Sequence, residues 1–192
     1  MIKRLSGEII ESKYVSDPFS FFHSINAYED NGHVVIDLCC YRDGNIIKGL
    51  YAKSLNLAAA NKPNESRHCA AQLLRSEARR YVLPIIESRS EIPVNENLNS
   101  LTYSRASAIM RRNKTIFCAH EQLTKTGYSM FIHIAIHQFN MMLYFTDTAE
   151  MPRINYEKFN GKKYRYFYAI TRRDTDFLTQ LVSYYVIGSL IS

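Results

Sequence analysis

Apolar and polar positions in this chain fall into short runs, most of them too short for helices and separated by turn-forming residues. The clearest pair is Phe19-Ser20-Phe21-Phe22-His23-Ser24-Ile25-Asn26-Ala27-Tyr28 and Val34-Val35-Ile36-Asp37-Leu38-Cys39-Cys40-Tyr41, with Asn31-Gly32 between them. Asn-Gly accepts the positive φ that a tight hairpin needs at its centre, so the two runs predict an antiparallel pair. Strict alternation along the first strand puts His23, Ile25 and Ala27 on one face, and Cys39 and Cys40 on opposite faces of the second.

Further runs extend the pattern. Asp43-Gly44-Asn45 predicts a turn into a strand from Ile46 to Tyr51, followed by a helical or irregular stretch at Leu55–Ala60 and a break at Asn61-Lys62-Pro63-Asn64. Ala70, Leu73, Leu74 and Ala78 recur at helical spacing and predict a short helix from Cys69 to Arg80. Strands are expected at Tyr81–Leu83, around Leu101–Tyr103, at Thr115–Cys118 and from Tyr164 to Ala169. Repeated hairpins with polar loops indicate an antiparallel all-β protein, sandwich or propeller. Tyr128–Thr146 is uncharged and close to the length of a membrane span, but His133, His137, Gln138 and Asn140 argue against spanning.

Composition changes this picture little. The 192 residues are 46% hydrophobic and 22% charged, which suits one globular core. The net charge of +6 is mild. Its basic residues gather late, at Arg153, Lys158, Lys162, Lys163, Arg165, Arg172 and Arg173, among tyrosines. That mixture fits a solvated strand face rather than a nucleic-acid surface, and a basic rim also suits contact with an anionic membrane surface. Four irregularly spaced cysteines form no disulfide framework, which together with the polar start Met1–Glu8 predicts a cytoplasmic chain with reduced thiols.

The histidine within its aromatic and apolar run carries the strongest chemical signal. Leu5 to Tyr41, and above all His23-Ser24-Ile25-Asn26-Ala27-Tyr28-Glu29 followed by Asp37-Leu38-Cys39-Cys40, resembles the carotenoid cleavage oxygenases. Arg79–Pro84, Thr115–Glu121, Glu150-Met151-Pro152-Arg153-Ile154-Asn155-Tyr156 and Gly161–Tyr168 follow in that family's order. The resemblance implies a seven-bladed β-propeller with a helical cap, of which this chain would be a few blades with short helical insertions. Residues 1–182 would be the partial propeller domain, interrupted by the apolar insertion at about 128–146, and 183–192 an atypical tail. Retained intron or faulty gene-model sequence would account for both unusual segments; spliced transcripts containing them would refute that.

The resemblance further implies an Fe(II) site of four histidines. His23 matches the third of these, and the other three have no counterpart in this sequence. Glu150 matches the glutamate that accepts a ligand N–H and offsets the iron's charge. The implied activity is O2-dependent cleavage of a carotenoid or apocarotenoid double bond to aldehyde or ketone products. One branch of the family instead isomerises and hydrolyses retinyl esters. The rival expectation is a catalytically inactive fragment that at most binds an apolar ligand or a partner. The other histidines give no site: His133 and His137 have i,i+4 spacing without a third ligand, His68-Cys69 lacks partners for zinc, His120 matches no ligand, and His33, after the turn glycine, is expected to be exposed.

Overall fold

The computed structural model describes residues 2–10, 12–49, 51, 75–86, 92–123, 148–172 and 179–185. These are mostly strands, in agreement with an all-β chain: β1 Lys13–Val15, β2 Ser20–Asp30, β3 His33–Tyr41, β4 Ser76–Pro84, β5 Ser107–Met110, β6 Thr115–Ala119, β7 Glu121–Gln122, β8 Glu150–Arg153, β9 Tyr166–Arg172 and β10 Thr179–Tyr185. Two single helical turns, α1 Ile46–Gly49 and α2 Tyr156–Phe159, complete the described elements. The strands form three sheets, ordered β1-β6-β5, β2-β3-β4-β7 and β8-β9-β10.

The four-stranded sheet lies between the other two, because its strands are apolar on both faces. On one face Ile25, Tyr28, Val35 and Cys39 share a core with Phe167 and Ala169 of β9. On the other, Leu38, Cys40 and Tyr81 pack with Ala108, Ile116 and Cys118 of β5 and β6. Cys39 and Cys40 therefore serve different cores, as alternation predicts. The outer sheets are one-sided. Along β9, Phe167 and Ala169 are buried whereas Tyr166, Tyr168 and Ile170 are exposed.

Polar ties cross the first of these cores. Asp37 and Arg80 stand opposite each other in the β3–β4 register, and both side chains are wholly buried. Arg80 donates from Nε to Asp37 Oδ1 at 2.8 Å and from Nη2 to Oδ2 at 2.7 Å. Tyr164, just before β9, donates its hydroxyl to Asp37 Oδ2 at 2.7 Å. Burial alone would lower the Arg80 guanidinium, but the Asp37 carboxylate more than offsets it and holds it above its ordinary value. At the hairpin end, Asp30 accepts from Tyr103 at 2.6 Å and Lys163 at 2.8 Å.

Four expectations need correction. Ile46–Gly49 is a helical turn, not the start of a strand: Asp43 accepts from the Asn45 N–H at 2.8 Å, which curls the chain, and Ile46 is buried beneath it. Ser76–Arg80 belongs to β4 and pairs along β3, so ladder hydrogen bonds overrule the helical spacing there; residues 69–74 of that expected helix lie outside the described residues. Leu101–Tyr103 forms a turn closed by the Ser104 N–H on Leu101 O at 3.1 Å, with Leu101 buried as its anchor. His33 is 4% exposed rather than at the surface, its ring set between the carbonyls of Asn31 at 2.7 Å and Leu98 at 3.1 Å. The insertion at 128–146 lies outside the described residues, as does most of the tail, although Ser183–Tyr185 continue β10 in register with β9.

Two tests follow from these ties. Arg80→Met strands a buried carboxylate and should cost about 3–5 kcal/mol, whereas Asp37→Leu combined with Arg80→Met should cost clearly less; urea midpoints of the two variants decide it. Asp30 is held below the ordinary carboxylate range, first by the Lys163 hydrogen bond and then by that from Tyr103. The folded state thus binds this proton more weakly than the unfolded chain does. Its contribution is complete above the unfolded value of about 4 and is lost as pH falls through the lowered folded value. Asp30→Asn should flatten that acid limb of the stability curve and leave the neutral limb's slope unchanged.

Candidate functional site

His23 lies on β2, and two bulges decide where its ring goes. The β2–β3 register runs Phe21↔Cys40, His23↔Cys39, Ser24↔Leu38 and Asn26↔Asp37, so Phe22 and Ile25 are extra residues on β2. Plain alternation would set His23 with Ala27, across the sheet from Tyr28. The bulge at Ile25 reverses this and brings His23 onto the face of Asn26 and Tyr28, over the third sheet. Ala27 is exposed on the other side, while Ile25 and Asn26 are both buried. The expected shared face of His23, Ile25 and Ala27 is corrected accordingly.

The third sheet meets that face with Glu150. Its position is fixed from both chain directions. Upstream, Ala149 donates its N–H to Ser76 O at 3.2 Å and accepts from Ser76 Oγ at 2.7 Å. Downstream, buried Asn26 donates to the carbonyls of Phe159 at 3.0 Å and Lys162 at 2.9 Å, and accepts from the Gly161 N–H at 3.2 Å. Tyr156 donates to the carbonyl of the bulge residue Ile25 at 3.2 Å. The β8–β9 register slips between Glu150↔Ile170 and Arg153↔Tyr168, with Met151 at a φ of +51°. This local strain turns the Glu150 side chain inward while Met151 stays 58% exposed.

His23 Nδ1 and Glu150 Oε2 are 2.7 Å apart, although 127 residues separate them in sequence. The side chains are 38% and 20% exposed, so the pair opens to one side. Where the carboxylate is ionised it only accepts hydrogen bonds, so Nδ1 is the donor, and a neutral ring in that tautomer presents an unprotonated Nε2. That is the arrangement a metal-ligating imidazole needs, with its tautomer fixed by an acceptor behind it. The donor chemistry therefore fits one ligand to a divalent metal. Among the described residues no group of three or more His, Cys, Asp or Glu side chains gathers to complete a metal site.

The surroundings are apolar. Phe22 is half exposed next to His23 in the chain, its ring meeting Tyr41 edge-on at 5.6 Å, whereas Phe21, opposite Cys40, meets Phe19 at 6.2 Å on the other face. Burial first, and the Glu150 carboxylate after it, push the Cys39 thiol opposite His23 well above its ordinary value, which keeps it protonated and inert. His120 is half-buried against Tyr81, its ring pushed down by burial and then by Arg79, and it stands apart from this pair. His68, His133 and His137 lie outside the described residues. The sequence motif contained Asn26 without indicating its role. The signal was there, in a polar amide next to the apolar Ile25 and within an apolar and aromatic run, since such a group, once buried, must find partners. Among the described residues no helix is long and apolar enough to cross a membrane.

Comparison with known proteins agrees with the motif. The family described as retinal pigment epithelial membrane protein matches residues 2–188. The "Carotenoid-cleaving dioxygenase, mitochondrial" proteins of Mustela putorius furo and Homo sapiens are each 36% identical over 168 residues, and that of Macaca fascicularis is 37% identical. The alignments cover 88% of this chain but only 26–27% of those proteins, so the chain spans about a quarter of their length.

The strained bulge beside Glu150 can be tested directly. Met151→Gly should raise stability by about 1 kcal/mol, because glycine adopts a left-handed φ without penalty and the exposed methionine loses little packing. Denaturant midpoints check this, and a lower midpoint would show that the methionine side chain matters more than its backbone.

Proposed function

The chain belongs to the carotenoid oxygenase family, the one described as retinal pigment epithelial membrane protein, and from that membership we propose that it is a portion of an iron-dependent dioxygenase cleaving a carotenoid or apocarotenoid double bond to carbonyl products. In this reading His23 supplies one of four imidazoles to ferrous iron through Nε2, and Glu150 holds its Nδ1 proton. The three sheets are consecutive blades of a seven-bladed propeller. Iron, when bound, supplies the activation of O2 for cleavage of the conjugated bond.

The observation that carries the reading is the 2.7 Å contact of His23 with Glu150. Two residues singled out from separate motif blocks meet in the one orientation that leaves a lone pair available. The carboxylate stabilises the Nδ1–H tautomer and would offset part of the charge of a site built from neutral ligands. Phe22, next to His23 in the chain and half exposed, offers an aromatic surface suited to a polyene. A reducing compartment fits the free thiols of Cys39, Cys40 and Cys118; the cytoplasm at a membrane surface is the location we propose, whereas the relatives are named mitochondrial.

A second reading concerns the 192-residue chain alone. With no set of three metal-binding side chains among its described residues, it would hold iron poorly and act at most as a binding module. Both readings are tested together. In the full-length protein, His23→Ala should lose bound iron and polyene cleavage, and Glu150→Gln should lower iron affinity or turnover about 10–100-fold. The chain by itself, given Fe(II), should retain no stoichiometric metal. Normal iron in full-length His23→Ala would sink the ligand assignment.

A further inference from the structure

Glu150 has two carboxylate oxygens, and only one is accounted for. Oε2 accepts from His23 Nδ1 and from the Met151 N–H at 3.2 Å. Oε1 is buried and has no hydrogen-bond partner. A buried carboxylate oxygen demands a donor, so the side chains around it are the place to look. Ser76 is close, but its hydroxyl is committed to Ala149 O. Cys39 can offer only a weak thiol donor.

Tyr41 is the remaining group. It lies two residues beyond Cys39 on β3, hence on the same face of the sheet as the residue paired with His23. It stands opposite Ser76 in the β3–β4 register, and Ser76 is the residue tied twice to Ala149, so the phenol lies beside the start of β8. The side chain is 7% exposed, and its ring is held edge-on by Phe22.

We propose that the Tyr41 hydroxyl is the second donor to the Glu150 carboxylate, serving Oε1, and that Tyr41 is thereby a positioning residue that fixes which nitrogen of His23 is presented. This deepens the metal-ligand reading and rests on it for its functional meaning. With both oxygens engaged, the carboxylate cannot rotate about its terminal bond, and Oε2 stays aimed at Nδ1. With Oε1 unserved, the carboxylate turns to find a donor, and His23 loses the acceptor that selects its tautomer. Burial first, and then Glu150, hold the phenol above its ordinary value against an opposing hydrogen bond from the Ser76 hydroxyl, which is the other group within reach of the phenol, so Tyr41 keeps its proton at any physiological pH.

The test is imidazole 15N–1H correlation on the metal-free chain labelled at histidine. His23 should show the Nδ1–H tautomer with an unprotonated Nε2. Tyr41→Phe, which removes one oxygen and keeps the ring on Phe22, should shift the Nδ1–H to Nε2–H ratio measurably toward Nε2–H. An unchanged ratio in a folded Tyr41→Phe chain would overturn the proposal. In the unmutated chain, the Tyr41 hydroxyl proton should exchange slowly and show a cross-peak to the Glu150 methylene protons. A hydroxyl exchanging at solvent rates overturns it as well, however Tyr41→Phe folds. Since no metal enters these measurements, their failure leaves the iron assignment standing, and that assignment falls only on the iron content of full-length His23→Ala.

Discussion

An ion pair with no exposed surface, Asp37 with Arg80, occupies the face of the central sheet that looks toward the third sheet. Two charges can be withdrawn from water only if nearly every lone pair and proton between them is matched, and here the bidentate geometry and the Tyr164 hydroxyl do that matching. Because Tyr164 comes from the segment leading into β9, satisfying the pair requires that segment to lie against β3 and β4 and nowhere else. Apolar packing of Phe167 and Ala169 onto Val35 and Cys39 would tolerate sliding; a wholly buried carboxylate that takes its third hydrogen bond from Tyr164 does not. The pair thus sets the sheet-to-sheet registration within which His23 and Glu150 can meet.

Smaller polar ties then refine a placement that the ion pair makes coarse. Ser76 grips Ala149, Asn26 closes around the turn at Gly161, and Tyr156 takes the carbonyl that the bulge at Ile25 leaves out of the ladder. Each bonds a backbone group outside the regular ladders, so the same bonds that tie down the irregular backbone also position the carboxylate. The irregular backbone gathers at the candidate site: the two bulges of β2, the slip of β8 and the positive φ of Met151 all border the His23–Glu150 contact.

The hairpin and the strand class were legible because they depend on local signals, Asn31-Gly32 and short apolar runs, and the motif blocks named His23 and Glu150, which the structure brings into contact. What was not legible depends on pairing. The helical spacing of Ala70, Leu73, Leu74 and Ala78 says nothing of the β3 edge waiting to pair with Ser76–Arg80. Ile46 has strand propensity, but the Asp43 side chain satisfies a backbone donor first and the chain curls. His33 follows a turn and looks exposed until the loop at Leu98 covers it. Asp37, an acid inside an otherwise apolar strand, was the visible trace of the buried pair, and Arg80 its natural partner, yet their register is a long-range fact.

The bulge at Ile25 has a consequence for how this site can be lost or acquired. In a regular strand the face a side chain occupies is a matter of parity, and parity responds to length, not to residue type. Deleting one residue between Ser24 and Asn26 would leave every chemically important side chain in the sequence, yet point the imidazole at the wrong sheet and strand the carboxylate alone. Alanine scanning would miss this determinant altogether, since it preserves the count. The spacing from His23 to the Asn31-Gly32 turn thus decides the His23–Glu150 contact as firmly as either side chain does.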